Sequence, residues 1–111
     1  TTAGWRLPRL SDPQLPLYAS TVDNASGIAL MQISEERTTL IGVGEHEIHG
    51  LSNSQDFGFE TFKDLANAWN SYLKDTATSF VNGYAAVDPI DKTICRRCHL
   101  QGLCRVFDGD N

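Results

Sequence analysis

The chain has no long apolar run, and its longest stretch of apolar residues is far shorter than the roughly 20 residues that a membrane-spanning helix needs. It has no segment that resembles a secretory signal, no internal repeat and no low-complexity tract. These absences argue against membrane and secreted classes. They predict a soluble, cytoplasmic protein.

Positive charge is also scarce, because 9 lysines and arginines face 14 acidic residues and leave a net charge of -5. Such a balance argues against a free-standing nucleic-acid binder, since phosphates repel a net anion. The cations are nevertheless gathered locally, near the two ends of the chain. Five of the 9 are Arg6, Arg9, Arg96, Arg97 and Arg105. A length of 111 residues with 41% apolar content predicts one domain with a modest core.

Cysteine is rare, and all 3 cysteines fall in one short run near the end. Cys95, Cys98 and Cys104 have the spacing C-x2-C-x5-C, which indicates a shared ligand rather than scattered core positions. Zinc and iron–sulfur clusters both bind thiolates and need four ligands in total. The fourth would come either from His99 or from outside this chain. A disulfide and free thiols are the two alternatives, and an odd number of cysteines disfavours the disulfide.

Three arginines, Arg96, Arg97 and Arg105, lie beside these cysteines. Their guanidinium groups would offset the negative charge of a thiolate cluster.

A short helix is predicted to start at Pro13, because proline is favoured at the first helical position and Ser11 or Asp12 can cap it. Leu15, Tyr18 and Ala19 would share one face of that helix. The helix should end before Asp23.

Two β-branched, apolar runs follow, at 28–33 and 38–43, with a polar turn at 34–37 between them. This pattern predicts an antiparallel hairpin. Residues 52–58 are predicted to form a polar loop.

The longest regular element is an amphipathic helix predicted from Glu60 to Val81 and ended by Asn82 and Gly83. Its apolar stripe, interpreted as core, is Phe62, Leu65, Trp69, Tyr72, Leu73, Thr76 and Phe80. An extended connection at 84–92 then leads to a cysteine-rich loop, so that 84–111 forms a tail. The predicted class is α+β.

Two motifs in this order resemble the C-terminal part of the nuclease domain in RecB-like and AddB-like members of the PD-(D/E)XK superfamily. Gln14 and Tyr18 look like the family's Q-x-x-x-Y helix. Cys95, Cys98 and Cys104 look like the three C-terminal cysteines that join one upstream cysteine on a [4Fe–4S] cluster. The strand pair and long helix between them match the expected layout.

The resemblance implies a fragment of an α/β nuclease core from a DNA repair or recombination exonuclease. Gln14 would orient an active-site lysine or carboxylate, and Tyr18 would contact DNA or pack beside a Mg²⁺ site. Arg96, Arg97 and Arg105 would touch the DNA backbone. A helicase domain or subunit would accompany the parent protein.

The family's D/E-x-K motif is missing, because the residues two positions before the lysines are Thr61, Tyr72 and Ile90. Metal-dependent hydrolysis needs those carboxylates. We therefore expect the chain to be a segment that begins just after the metal-binding strand, inactive alone and without an intact cluster. The alternatives are a small zinc-binding interaction module and an inactivated relative that serves as a structural domain.

Overall fold

The structure, a computed structural model, describes residues 1–46 and 48–108. It contains a three-stranded sheet, one long helix and three short helices, which confirms the α+β class. The helices are α1 (Gln14–Thr21), α2 (Phe62–Val81), α3 (Lys92–Cys95) and α4 (Gln101–Cys104). The strands are β1 (Gly27–Ile33), β2 (Thr38–Gly44) and β3 (Ser52–Asn53), and short 3-10 turns cover Thr2–Trp5 and Ser54–Phe57.

The predicted hairpin is confirmed: β1 and β2 pair antiparallel, with Gly27 opposite Gly44 and Ile33 opposite Thr38. The polar turn is closed by the Ser34 amide, which donates to the Arg37 carbonyl at 3.0 Å. Gly42 permits this close pairing, because a Cβ there would lie 2.2 Å from the carbonyl oxygen of Ile28.

The loop prediction for 52–58 was wrong in part. β3 pairs parallel with the end of β2, so the strand order is β1-β2-β3. A 3-10 turn follows at once, held by a capping box in which the Asn53 amide donates to Asp56 Oδ2 at 3.0 Å. Gly58, with a φ of 86°, ends the turn. The sequence signal for this turn is the pair Asn53 and Asp56, three residues apart, which is the spacing of a capping box. The prediction took these polar residues for a loop.

Helix α1 is confirmed, but its predicted cap is not. Pro13 occupies the N-cap without a side-chain hydrogen bond, and neither Ser11 nor Asp12 caps the helix. Instead the Ser11 and Asp12 amides both donate to the Gly4 carbonyl, at 3.0 and 3.1 Å. The buried face of α1 carries Pro16 and Ala19.

Helix α2 starts two residues after the predicted Glu60, because Thr61 is its N-cap and accepts from the Asp64 amide at 3.1 Å. It ends at Val81, before Gly83, whose φ is 87°. Only the first part of its apolar stripe is core. Phe62, Leu65 and Trp69 are buried, Tyr72 and Leu73 are half-buried, and Thr76 and Phe80 are exposed.

Two tryptophans lie at the centre of the core. The indole N–H of Trp69 donates to the Trp5 carbonyl at 2.8 Å and fixes the first segment of the chain against α2. The Trp5 indole nitrogen is itself buried without a partner among the described residues. The buried apolar residues are Trp5, Leu10, Ala19, Val43, Phe62, Leu65 and Trp69.

The chain from residue 84 to residue 108 contributes no buried residue. Residues 84–91 form no helix or strand, and the connection predicted over 84–92 ends one residue earlier because α3 starts at Lys92. Helices α3 and α4 are one-turn helices where a loop was predicted. Residues 109–111 of the predicted tail lie outside the described part. The radius of gyration is 17.1 Å, above the value of about 13 Å for a 100-residue globular domain.

Candidate metal and nucleic-acid site

Gln14 and Tyr18 lie together on the exposed side of α1. The Gln14 side-chain nitrogen donates to the Tyr18 hydroxyl at 3.1 Å. The two residues are one helical turn apart, so their side chains are neighbours on the helix surface. Tyr18, which was predicted to share one helix face with Leu15 and Ala19, is 51% exposed. Pro16 and Ala19 take the buried face instead, which leaves the amide and phenol directed away from the core.

The three cysteines lie in α3, in α4 and in the turn between these two helices. Cys95 is the last residue of α3 and is half-buried, Cys98 is exposed in the turn, and Cys104 is the last residue of α4 and is half-buried. The Cys98 amide donates to the Cys95 carbonyl at 3.1 Å, which closes the C-x2-C segment into a turn. The Gln101 side chain donates to the same carbonyl at 2.5 Å and links α4 to α3.

One thiol already accepts a backbone hydrogen bond. The Leu100 amide donates to the Cys98 sulfur at 3.4 Å, two residues along the chain. This hydrogen bond fixes the position of the Cys98 sulfur relative to the start of α4. His99 lies between these two residues and is exposed.

The predicted metal centre is not assembled. Within residues 1–46 and 48–108, no three histidine, cysteine, aspartate or glutamate side chains are grouped so that they could hold a metal ion. Three thiols provide suitable donor atoms for zinc or an iron–sulfur cluster, but this arrangement does not fit either centre. Binding would require the three thiols to lie closer together than they do here.

The start of α3 is fixed by Asp91. Its carboxylate accepts from the Thr93 amide at 2.8 Å and from the Thr93 hydroxyl at 2.5 Å. These hydrogen bonds, the one from the hydroxyl first, lower the pKa of Asp91 below its ordinary value of 3.8, and the nearby Arg96 guanidinium lowers it further. The carboxylate therefore acts as a charged N-cap for the helix that ends in Cys95.

The three predicted DNA-contacting arginines are all exposed. Arg105, which has a positive φ of 53°, forms an ion pair with Asp108. Arg96 lies close enough to Asp91 to affect its pKa. Arg97 forms no ion pair within the part of the chain that the structure describes, so its guanidinium is available to an anionic partner.

The two arginines near the start of the chain have structural contacts. Arg9 forms an ion pair with Asp88 at 3.2 Å, and a second nitrogen donates to the Asp88 carbonyl. Arg6 donates to the Asp56 carbonyl at 2.6 Å and lies 4.4 Å from the centre of the Phe57 ring. Arg9 thus attaches the connection that leads to the cysteines to the N-terminal segment.

A polar groove of about 450 Å³ was not foreseen from the sequence. It lies between the end of α1, the α1–β1 connection and the first turns of α2. Lys63, Asn67 and Asn70 line it from one side of α2, at helical spacing. The polar side of α2 was visible in the sequence, but its position opposite the α1–β1 connection depends on tertiary packing. Neither Gln14 nor Tyr18 lines this groove.

Comparison with protein-family models, with curated proteins and with solved structures finds no match to this chain. Among the described helices, none is both long and apolar enough to cross a membrane. A functional assignment therefore depends on the residues of this chain and the contacts between them.

Proposed function

We propose that the chain is the C-terminal segment of a RecB-like or AddB-like nuclease domain of the PD-(D/E)XK superfamily, acting in DNA repair or recombination. The observation that carries the proposal is the Gln14–Tyr18 pair, whose side chains are joined at 3.1 Å on an exposed helix face. The cysteine tail that follows in the same chain supports it.

The hydrogen-bond direction of the pair suits a positioning role. Since the Gln14 nitrogen donates to Tyr18, the amide oxygen remains available to accept from a lysine ammonium. The Tyr18 hydroxyl accepts that bond and can donate its own proton to a phosphate or carboxylate oxygen. The pair would thus hold an active-site lysine on one side and a DNA phosphate on the other.

The catalytic carboxylates would come from residues outside this chain. No lysine here has an acidic residue two positions before it. Mg²⁺, when bound by the parent's carboxylates, would supply the activated water. We therefore propose that residues 1–111 alone do not cleave DNA.

The three cysteines would serve as sulfur ligands in the parent, where the Leu100 amide would hold the Cys98 sulfur in place. Metal binding commonly drives local folding, so the three thiols would come together as the metal binds. Arg97 and its neighbours would meet the DNA backbone or balance the thiolates.

The test is cleavage of linear DNA with Mg²⁺ by the full-length gene product. We expect Gln14→Ala and Tyr18→Phe to lower the cleavage rate by about 10- to 100-fold, the usual loss when an orienting group is removed. Tyr84→Phe is the matched control, because Tyr84 is also exposed at 63% but lies outside α1. Equal rates for all three variants, or cleavage by residues 1–111 alone, would refute the proposal.

A zinc-binding interaction module is the second candidate, favoured by the position of His99 in the turn beside Cys98. Metal analysis of the full-length gene product separates the two, because residues 1–111 alone supply only three cysteines. One equivalent of zinc that is lost in both Cys98→Ser and His99→Ala supports the module. Iron and sulfide with broad visible absorption, retained in His99→Ala and lost in Cys98→Ser, support the nuclease segment.

A further inference from the structure

Strand β1 forms a free edge of the sheet and is unusually unprotected. All seven of its residues, Gly27–Ile33, are uncharged, and none is proline. Leu30, Met31 and Ile33 are exposed by 47%, 65% and 75%. Natural edge strands are usually blocked by charge, proline or a covering loop, because open edges pair with other strands.

The hydrogen bonds at the two ends of the hairpin identify which backbone groups face outward. Ser34 bonds to Arg37, and the Glu45 amide donates to the Ser26 carbonyl. Along an antiparallel edge strand, the backbone N–H and C=O groups of successive residues point alternately toward the neighbouring strand and away from it. The even-numbered residues of β1 therefore direct these groups toward β2. Gly27, Ala29, Met31 and Ile33 therefore direct their N–H and C=O groups outward. None of these groups has a partner among the described residues.

This outward row is complementary to itself. In an antiparallel pair centred on Leu30, Ala29 of each copy faces Met31 of the other, and Gly27 faces Ile33. All four outward residues then pair, which gives about eight backbone hydrogen bonds. The Leu30 side chains of the two copies would lie next to each other on one face of the sheet, and each would shield the other from water.

Charge does not oppose this register, since the seven paired residues are neutral. The nearest charged residues, Asp23 and Glu35, lie beyond the paired stretch. One strand pair buries less than the roughly 800 Å² per partner of a standard stable interface. The expected association is therefore weak, with dissociation in the micromolar to millimolar range rather than the nanomolar range.

We propose that β1 is an interaction edge through which two copies of this chain pair antiparallel about Leu30, joining two three-stranded sheets into one continuous sheet. This pairing is independent of the nuclease proposal, because it uses neither α1 nor the cysteines.

Sedimentation velocity of the full chain over a concentration series tests the pairing. We expect a monomer–dimer equilibrium whose dissociation constant rises at least tenfold in Met31→Lys, since a charge at the edge opposes strand pairing. Val81→Lys is the matched control: Val81 is 82% exposed at the end of α2, the charge change is the same, and the dimer should persist. Circular dichroism verifies that both variants are folded.

Hydrogen exchange gives a second measurement that a different interface would not reproduce. The amides of Ala29, Met31 and Ile33 should become protected only as concentration rises, whereas those of Leu30 and Gln32 should be protected throughout. A monomer at every concentration, or a dimer that Met31→Lys leaves unchanged, overturns the proposal. So does pairing that protects other residues instead.

Discussion

Residues 1–73 and residues 84–108 both contain large apolar side chains, but only the first region buries them. The first region buries two tryptophans at its centre. The second buries nothing, although Ile94, Leu100 and Leu103 are all apolar. The difference lies in opposing surfaces: α1, the sheet and the N-terminal segment pack around the start of α2, whereas residues 84–108 meet the N-terminal segment through the exposed Arg9–Asp88 pair and bury no side chain. An apolar residue is thus a core residue only where another element faces it.

Helix α2 contains both a buried and an exposed aromatic side chain on the same apolar stripe. Trp69 is fully buried, and its ring meets Phe57 and Phe62 edge-on at centroid distances of 6.4 and 6.0 Å. Phe80, three turns later on the same stripe, is 78% exposed. The same helical spacing therefore leads to burial at one end and exposure at the other.

The largest expected effect comes from truncating these two aromatics. Trp69→Ala should lower the free energy of unfolding by about 3–5 kcal/mol, because it leaves a cavity and removes the bond to the Trp5 carbonyl. Phe80→Ala should change it by less than about 0.5 kcal/mol. Urea denaturation followed by circular dichroism measures both. Equal losses would mean that the end of α2 is also packed.

A second comparison uses glycines. Gly42→Ala should destabilise by about 1–3 kcal/mol, because the new Cβ would meet the Ile28 carbonyl oxygen at 2.2 Å and force the hairpin strands apart. A Cβ added at Gly102 in α4 would contact nothing within 4 Å, so Gly102→Ala should leave the free energy of unfolding unchanged. Thermal melts of both variants test this. A stable Gly42→Ala protein would refute the close pairing of β1 and β2.

A third comparison removes one N-cap from each region. Thr61→Ala should cost about 1 kcal/mol of global stability, because α2 is part of the core. Asp91→Ala should loosen α3 without moving the global unfolding midpoint, since no buried residue depends on that helix. Urea unfolding and the exchange rate of the Thr93 amide distinguish the two. A shifted midpoint in Asp91→Ala would show that the tail is coupled to the core.

The smallest effect is a local pH dependence. Because folding lowers the pKa of Asp91, the charged cap contributes its full stability above pH 3.8 and loses it as pH falls through the lowered pKa. The Thr93 amide resonance should report this loss. Asp91→Asn retains a capping side chain without a titrating group, so its α3 signal should not change over that range. Equal pH dependence in both proteins would exclude Asp91 as the cause.

Periodicity in the sequence predicted the hairpin and α2 well, because alternation and helical spacing are local properties. It grouped Tyr18 with Leu15 and Ala19 on one face of α1, whereas Ala19 is buried and Tyr18 is exposed. It also missed β3, since a two-residue strand has no pattern of its own and exists only because β2 offers an edge. The proximity of Gln14 and Tyr18 follows from helical spacing, but their exposure does not.

By itself, the sequence determined where the main helices and strands occur and that all the thiols lie in one short segment. Only the tertiary structure decided which apolar residues are buried, which backbone groups of β1 face outward, and that the three cysteines are not gathered into a metal centre. The physical reason is that secondary structure depends on neighbours along the chain, whereas burial, edge exposure and ligand convergence depend on residues that are distant in sequence.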